Sequence, residues 1–103
     1  MADMTTHPMK LVTIIGEALA REPLRRLLQE SGAQGYTLFT VEGAGHQGRR
    51  TGDIPEFANV QIEVIVPPPV AATLLARLEA EFFPRYAMVA YEADIRVLRR
   101  DKF

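Results

Sequence analysis

The chain has 103 residues, which suits one compact domain and leaves no room for a second. Its formal net charge is −1, so no overall positive field exists for binding nucleic acid or an anionic membrane. The absence of cysteine excludes disulfides, Cys-based zinc sites, iron–sulfur clusters and thiol catalysis. The first residues do not have the basic start and apolar core of a signal peptide, and no apolar run approaches the ~20 residues of a membrane helix. We therefore expect a cytoplasmic domain that is not inserted in a membrane.

The first half of the chain predicts a strand, a helix and a second strand. After a flexible lead over residues 1–8, residues 9–15 are apolar and short, as is typical of a buried strand. Residues 22–31 place three leucines on one helical face, with Pro23 near the helix start and Gly32 at the C-cap. Residues 36–41 are β-branched and aromatic, which favours a strand.

The second half repeats this order. Residues 60–66 alternate between apolar and polar side chains, which predicts a half-buried strand. The prolines at 67–69 then begin an amphipathic helix, which Pro84 ends. Residues 86–91 predict a fourth strand, and residues 95–98 suggest a short fifth.

Two strand–helix–strand units in succession predict an α+β fold, the ferredoxin-like βαββαβ sandwich, with a long loop between strands 2 and 3. The two helices would cover one face of the sheet. The other face also carries apolar residues, and no third helix is available for it. We therefore expect this face to be covered by other copies of the chain, although a monomer whose face is polar enough for water is the alternative.

The segment 43–58 is the unusual part of the sequence, because four of the seven glycines fall in it and it is long for a hairpin connection. Gly43 and Gly45 would let backbone N–H groups approach an anion closely. Arg49 and Arg50 add charged, forked donors suited to phosphate, and further donors are available on His46 and Gln47. The pattern favours an anion-binding loop, and the alternative is a merely soluble Gly- and Arg-rich surface loop.

Chemistry elsewhere in the chain is less distinctive. Two histidines without cysteine make a transition-metal site improbable, so we expect no metal. No Ser-His-Asp set, nucleophile elbow or P-loop lysine motif is present, which argues against an enzyme. Glu63 is either a solvated or interface carboxylate or an acceptor for a ligand amino group. Arg99 and Arg100 belong to a basic end that can reach phosphate only if the terminus folds beside the loop.

Three stretches of this sequence resemble the PII signal-transduction family. They are Ser-Gly-Ala-Gln-Gly-Tyr-Thr at 31–37, Val-Glu-Gly-Ala-Gly-His-Gln-Gly at 41–48 and Val-Gln-Ile-Glu-Val-Ile-Val-Pro at 60–67. The resemblance covers most of the chain in order, defines residues 9–103 as a PII-like domain, and places the loop 43–58 at the family's T-loop. It implies a homotrimer with an adenine nucleotide bound between neighbouring subunits.

The resemblance also implies roles for individual residues. Thr37 and the strand residues Ile62 to Ile65 would hold the adenine, and Gly43, Gly45 and Gln47 would lie at the phosphate end. The nucleotide-binding residues expected on this basis are Thr37, Gly43, Gly45, Gln47, Arg50, Ile62, Glu63, Val64, Arg99 and Arg100.

One departure from the family changes the expected ligand. The family's phosphate-gripping B-loop is replaced by Phe-Phe-Pro-Arg-Tyr at 82–86, which favours ADP or AMP over ATP. A short loop with a degenerate B-loop resembles the PII-like branch associated with carboxysomes and bicarbonate transporters. Bicarbonate is then a further expected ligand, at His46, Gln47, Gly48 and Arg49, and a bicarbonate transporter or carboxysome component is the expected kind of partner protein.

The sequence thus predicts a non-enzymatic regulator of nitrogen or carbon metabolism that has no cofactor and signals through the loop 43–58. Two alternatives remain on the same scaffold: an RNA-binding module, and a small trimeric enzyme or metal-tolerance protein. The RNA module would need stacking aromatic residues on a central strand, where Gln61 and Glu63 stand instead.

Overall fold

The computed structural model describes residues 5–42 and 59–103, and the elements in these ranges follow the predicted order. The loop 43–58 therefore lies outside the described residues. The elements are β1 (His7–Glu17), α1 (Arg21–Ser31), β2 (Thr37–Val41), β3 (Asn59–Val66), α2 (Pro68–Arg77) and β4 (Met88–Val97). β1 starts at His7, so two residues assigned to the flexible lead, His7 and Pro8, pair with Val97 and Arg96 of β4.

The strands form one four-stranded sheet in the order β2-β3-β1-β4, and each neighbouring pair is antiparallel. This is the order of a ferredoxin-like sandwich, which confirms the predicted fold class. Both helices pack on one face of the sheet, where the side chains at even-numbered strand positions form the core. Its fully buried strand members are Val12, Ile14, Val60, Ile62, Val64 and Val66.

α1 begins one residue before its predicted start, and its two ends have the predicted chemistry. Pro23 is its third residue, within the first turn, where a backbone N–H has no intrahelical partner. Gly32 follows the last residue with φ of +90°, and the amide of Ala33 donates to the carbonyl of Leu28 at 3.0 Å. This left-handed cap satisfies carbonyls at the helix end without the strain a β-carbon would bring.

α2 begins at Pro68, whose missing N–H is harmless at the first helical position. After Arg77 the helix widens into a π-type turn, Leu78–Phe82, which keeps both Leu78 and Phe82 buried. Arg77 joins the two helices, because its guanidinium contacts Glu30 of α1 at 3.0 Å and Glu81 at 2.9 Å.

β4 is a single strand of ten residues, so the suggested separate fifth strand at 95–98 is wrong. The charged residues Glu92 and Asp94 look like an interruption in sequence, but β4 is an edge strand. Lys10 of the neighbouring β1 donates a hydrogen bond to Asp94 and lies 3.9 Å from the Glu92 carboxylate. Across the two described ranges, no helix is long and apolar enough to span a bilayer.

Candidate functional site

The face of the sheet opposite the helices carries the candidate site, and we call it the open face. Odd-numbered residues of all four strands point to it, because side chains alternate along a strand and directly paired residues share a face. Gln61 and Glu63 of β3 are polar residues on this face, and its exposed large apolar residues lie on the outer strands β2 and β4. Phe39 is 38% exposed, Val89 57% and Tyr91 54%.

One row across the open face brings together two of the predicted nucleotide-binding residues. Thr37 of β2 pairs with Glu63 of β3, which in turn pairs with Thr13 of β1, and Thr13 pairs with Tyr91 of β4. We call these four residues the central row. Thr37 and Glu63 therefore stand side by side, with Cβ atoms of such paired residues typically about 5 Å apart.

The Glu63 carboxylate has one oxygen engaged, since the side-chain amide of Gln61 donates to Oε2 at 3.2 Å. Within the described part of the chain, no donor forms a hydrogen bond to its other oxygen, Oε1. A carboxylate accepts hydrogen bonds, whereas the Thr37 hydroxyl both donates and accepts. The pair would match the N6–N7 edge of adenine, which presents an amino donor beside a ring-nitrogen acceptor, and it would mismatch the same edge of guanine, where O6 and N7 are both acceptors.

Two other predicted residues face away from this row. Ile62 and Val64 have 0% and 1% of their surface exposed, and their side chains lie in the core beneath the helices. A contact from either to a ligand on the open face would have to come from the main chain. The ladder between β2 and β3 ends at the Thr37–Glu63 pair, whereas β3 itself continues to Val66.

The predicted anion-binding loop joins the sheet at one end, which we call the loop end. Val41 pairs with Asn59, so the chain leaves β2 and enters β3 side by side there. The central row lies four residues in from this end, or about 13 Å along the strands. All of the loop residues predicted to bind phosphate or bicarbonate lie outside the described residues: Gly43, Gly45, His46, Gln47, Gly48, Arg49 and Arg50.

The two C-terminal arginines stand at the other end of the sheet. β4 enters at Met88, which pairs with Gly16 near the loop end, and leaves at Val97, which pairs with His7. Val97 is six residues past Tyr91, or about 20 Å beyond the central row. Arg99 and Arg100 follow it, so the fold does not bring them to the Thr37–Glu63 pair of the same chain.

The sequence alone did not identify Thr13 and Tyr91 as members of the same row. Thr13 is 1% exposed and is the one polar residue among the buried side chains of the described ranges. A lone threonine within the apolar stretch of β1 was an available signal, whereas the position of Tyr91 depends on strand register. No group of three or more His, Asp or Glu residues with metal-binding geometry occurs within 5–42 and 59–103.

Comparison with known proteins gives consistent matches over nearly the whole chain. The family model described as nitrogen regulatory protein P-II matches residues 9–102. A structure from Thermus thermophilus, described as a PII-like signalling protein, has 40% identity and a TM-score of 0.83, covering 97% of this chain and 99% of that one.

Two structures of CPII, a protein of Thiomonas intermedia, are also similar. CPII bound to ADP and bicarbonate has 30% identity and a TM-score of 0.87, covering 98% of this chain and 99% of that one. CPII bound to ADP, AMP and acetate has 29% identity and a TM-score of 0.83, covering 96% of this chain and 97% of that one.

Proposed function

Because the chain belongs to the nitrogen regulatory protein P-II family, whose members are signalling proteins rather than enzymes, we propose that it is a trimeric adenine-nucleotide sensor. The observation that carries the proposal is the Thr37–Glu63 pair on the open face. It offers an acceptor and a donor side by side, about 13 Å along the strands from the end of the sheet where the chain leaves for and returns from the loop 43–58.

ADP and AMP are the nucleotides we assign to this site. The sequence at 82–86 has none of the glycines, threonine or lysine with which the family's B-loop grips distal phosphates. The similar protein CPII binds ADP and AMP, which supports the same choice here. Phosphates would extend from the central row toward the loop end, where Gly43, Gly45, Gln47 and Arg50 provide backbone amides and a guanidinium.

Bicarbonate is the second ligand in the proposal, held by His46, Gln47, Gly48 and Arg49. CPII binds bicarbonate in three structures and acetate in another, so both small carboxylate-like anions suit that relative. The nucleotide would select one arrangement of the loop, which presents or hides a surface for a partner protein of nitrogen or carbon metabolism. Such a switch requires that the ligands bind the loop states unequally.

The exposed apolar surface of the open face also supports the trimer in this proposal. Phe39, Val89 and Tyr91 leave an apolar surface on the open face, and PII-like proteins are typically trimers. Copies of this chain would cover that surface and place their C-terminal arginines near neighbouring sites.

A thermal-shift panel tests the proposal. ADP, AMP, ATP and GDP are each compared with and without bicarbonate, because a ligand that binds only the folded state raises the melting temperature in proportion to ln(1 + [L]/Kd). We expect ADP and AMP to give the largest shifts, GDP the smallest, and bicarbonate to add to the ADP shift. Equal shifts for ADP and GDP, or no shift with any nucleotide, would refute the assignment.

A further inference from the structure

A groove on the helix side of the sheet lies apart from the site on the open face. Its volume is about 590 Å³, and its lining comes from the turn before α1, the start of α1, and the loop ends of β2 and β3. Thr40 and Val60 form its floor at the sheet, since they pair directly and share the helix-facing side. This pair is next to Val41 and Asn59, the last described pair before the loop.

Arg21 is the residue of this groove whose placement needs an explanation. Its Nε atom is buried and has no hydrogen-bond partner within the described ranges. A buried donor without a partner costs free energy, and the cost is greater for a charged group. Arg21 is also the first residue of α1, where the positive end of the helix dipole disfavours a cation.

The nearby carboxylates do not neutralise Arg21. Glu22 lines the same groove, but its Oε1 is 3.0 Å from Nη1 of Arg25, one turn along the helix. Glu17 occupies an odd-numbered position of β1, which points to the open face rather than to the helix side. Arg21 therefore contributes a positive charge and a hydrogen-bond donor that the described surroundings leave unmatched.

We propose that this groove binds a small oxyanion, a carboxylate, bicarbonate or phosphate group, through Arg21. The N–H donors of a guanidinium form a planar fork that matches two oxygens of such an anion. The Thr40 hydroxyl is a further donor in the lining. The site is independent of the nucleotide pair, because Thr40 lies on the opposite face of β2 from Thr37.

Titration of the uniformly ¹⁵N-labelled full chain, followed by NMR, tests the site directly. Sodium bicarbonate, phosphate and acetate are added separately at constant ionic strength, and the arginine Nε–Hε resonances are observed together with the backbone amides. We expect a saturable shift of the Arg21 Nε–Hε signal, with accompanying shifts at residues 18–22, 40 and 59. The relative response to the three salts identifies the preferred oxyanion.

Substitutions distinguish anion binding at Arg21 from nonspecific binding of ions elsewhere on the protein. Arg21→Gln should weaken the affinity for the oxyanion by at least about tenfold, because a charge-assisted hydrogen bond is lost. The affinity of this variant is read from the backbone amides, since it has no Arg21 Nε–Hε signal. Arg21→Lys keeps the charge without the fork and should give an intermediate loss. The matched control is Arg26→Gln, an exposed position on the same helix, which should leave the titration unchanged.

Three results would overturn the proposal: shifts that grow linearly without saturation, an equal response in Arg21→Gln, or an Arg21 shift produced by ADP but by none of the three salts. If Arg21→Gln does not fold, the wild-type titration decides, because its shifts must saturate and map to the groove. A failure of ADP to bind would refute the nucleotide proposal and leave this titration unaffected.

Discussion

Replacement of Glu63 tests the base-recognition proposal at its centre. Gln61 occupies Oε2 of the carboxylate, so the other oxygen is the one that would accept a hydrogen bond from the adenine amino group. A hydrogen bond to a charged group contributes about 1.5–3 kcal/mol, so Glu63→Ala should weaken ADP binding by roughly tenfold to a hundredfold. Isothermal titration calorimetry gives this change directly.

Glu63→Gln provides the sharper comparison, because it keeps the side-chain shape and removes the charge. The new amide can donate to guanine O6, which the carboxylate repels, so the preference for ADP over GDP should fall by about tenfold. The matched control is Glu92→Gln on β4, where the same chemical change lies on the helix-facing side of an edge strand. An ADP-to-GDP ratio that stays at the wild-type value in Glu63→Gln would contradict the assigned role.

Three further predictions concern the scaffold. A β-carbon at Gly16 would lie 2.9 Å from Cβ of Met88, so Gly16→Ala should destabilise the fold by about 1–3 kcal/mol in urea unfolding, whereas Gly35→Ala, with open space around it, should not. Tyr91→Glu places a charge on the open face and should convert the proposed trimer to smaller species in light scattering; an unchanged mass would remove this face from the interface. The hydrogen bond from Arg77 lowers the pKa of Glu81 below its ordinary 4.5, so its stabilising effect is present above pH 4.5 and is lost as the pH falls through that lowered value. Glu81→Gln should therefore flatten the stability curve below pH 4.5, and an unchanged slope there would count against this role.

The helices were the most predictable elements because their signals are local. The leucine spacing, Pro23 and Gly32 fixed α1 to within one residue. β4 was less predictable, since its length depends on Lys10 from another strand compensating Asp94 and Glu92. The strand propensities of the β4 residues do not reveal that a lysine of another strand compensates these charges.

The candidate site was predictable in its residue types but not in its arrangement. Thr37 and Glu63 were identified from the resemblance, yet their pairing depends on the β2–β3 register, which a connection of the length of 43–58 does not fix as a tight turn does. The alternation at 60–66 did place Ile62 and Val64 on the buried face. It could not show that Thr13 and Tyr91 complete the row, because that requires the register of two further strand pairs.

The position of the C-terminal arginines connects assembly with ligand binding. Arg99 and Arg100 follow the end of β4 farthest from the loop, so neither can serve the Thr37–Glu63 pair of its own chain. If they bind nucleotide phosphate, they do so at the site of an adjacent subunit, and each site is then built from two chains. A nucleotide that bridges two subunits must stabilise the trimer, because binding and association share one free-energy cycle. Tyr91→Glu should then lose ADP affinity together with the trimer, although its own side chain lies on the far edge strand from Thr37.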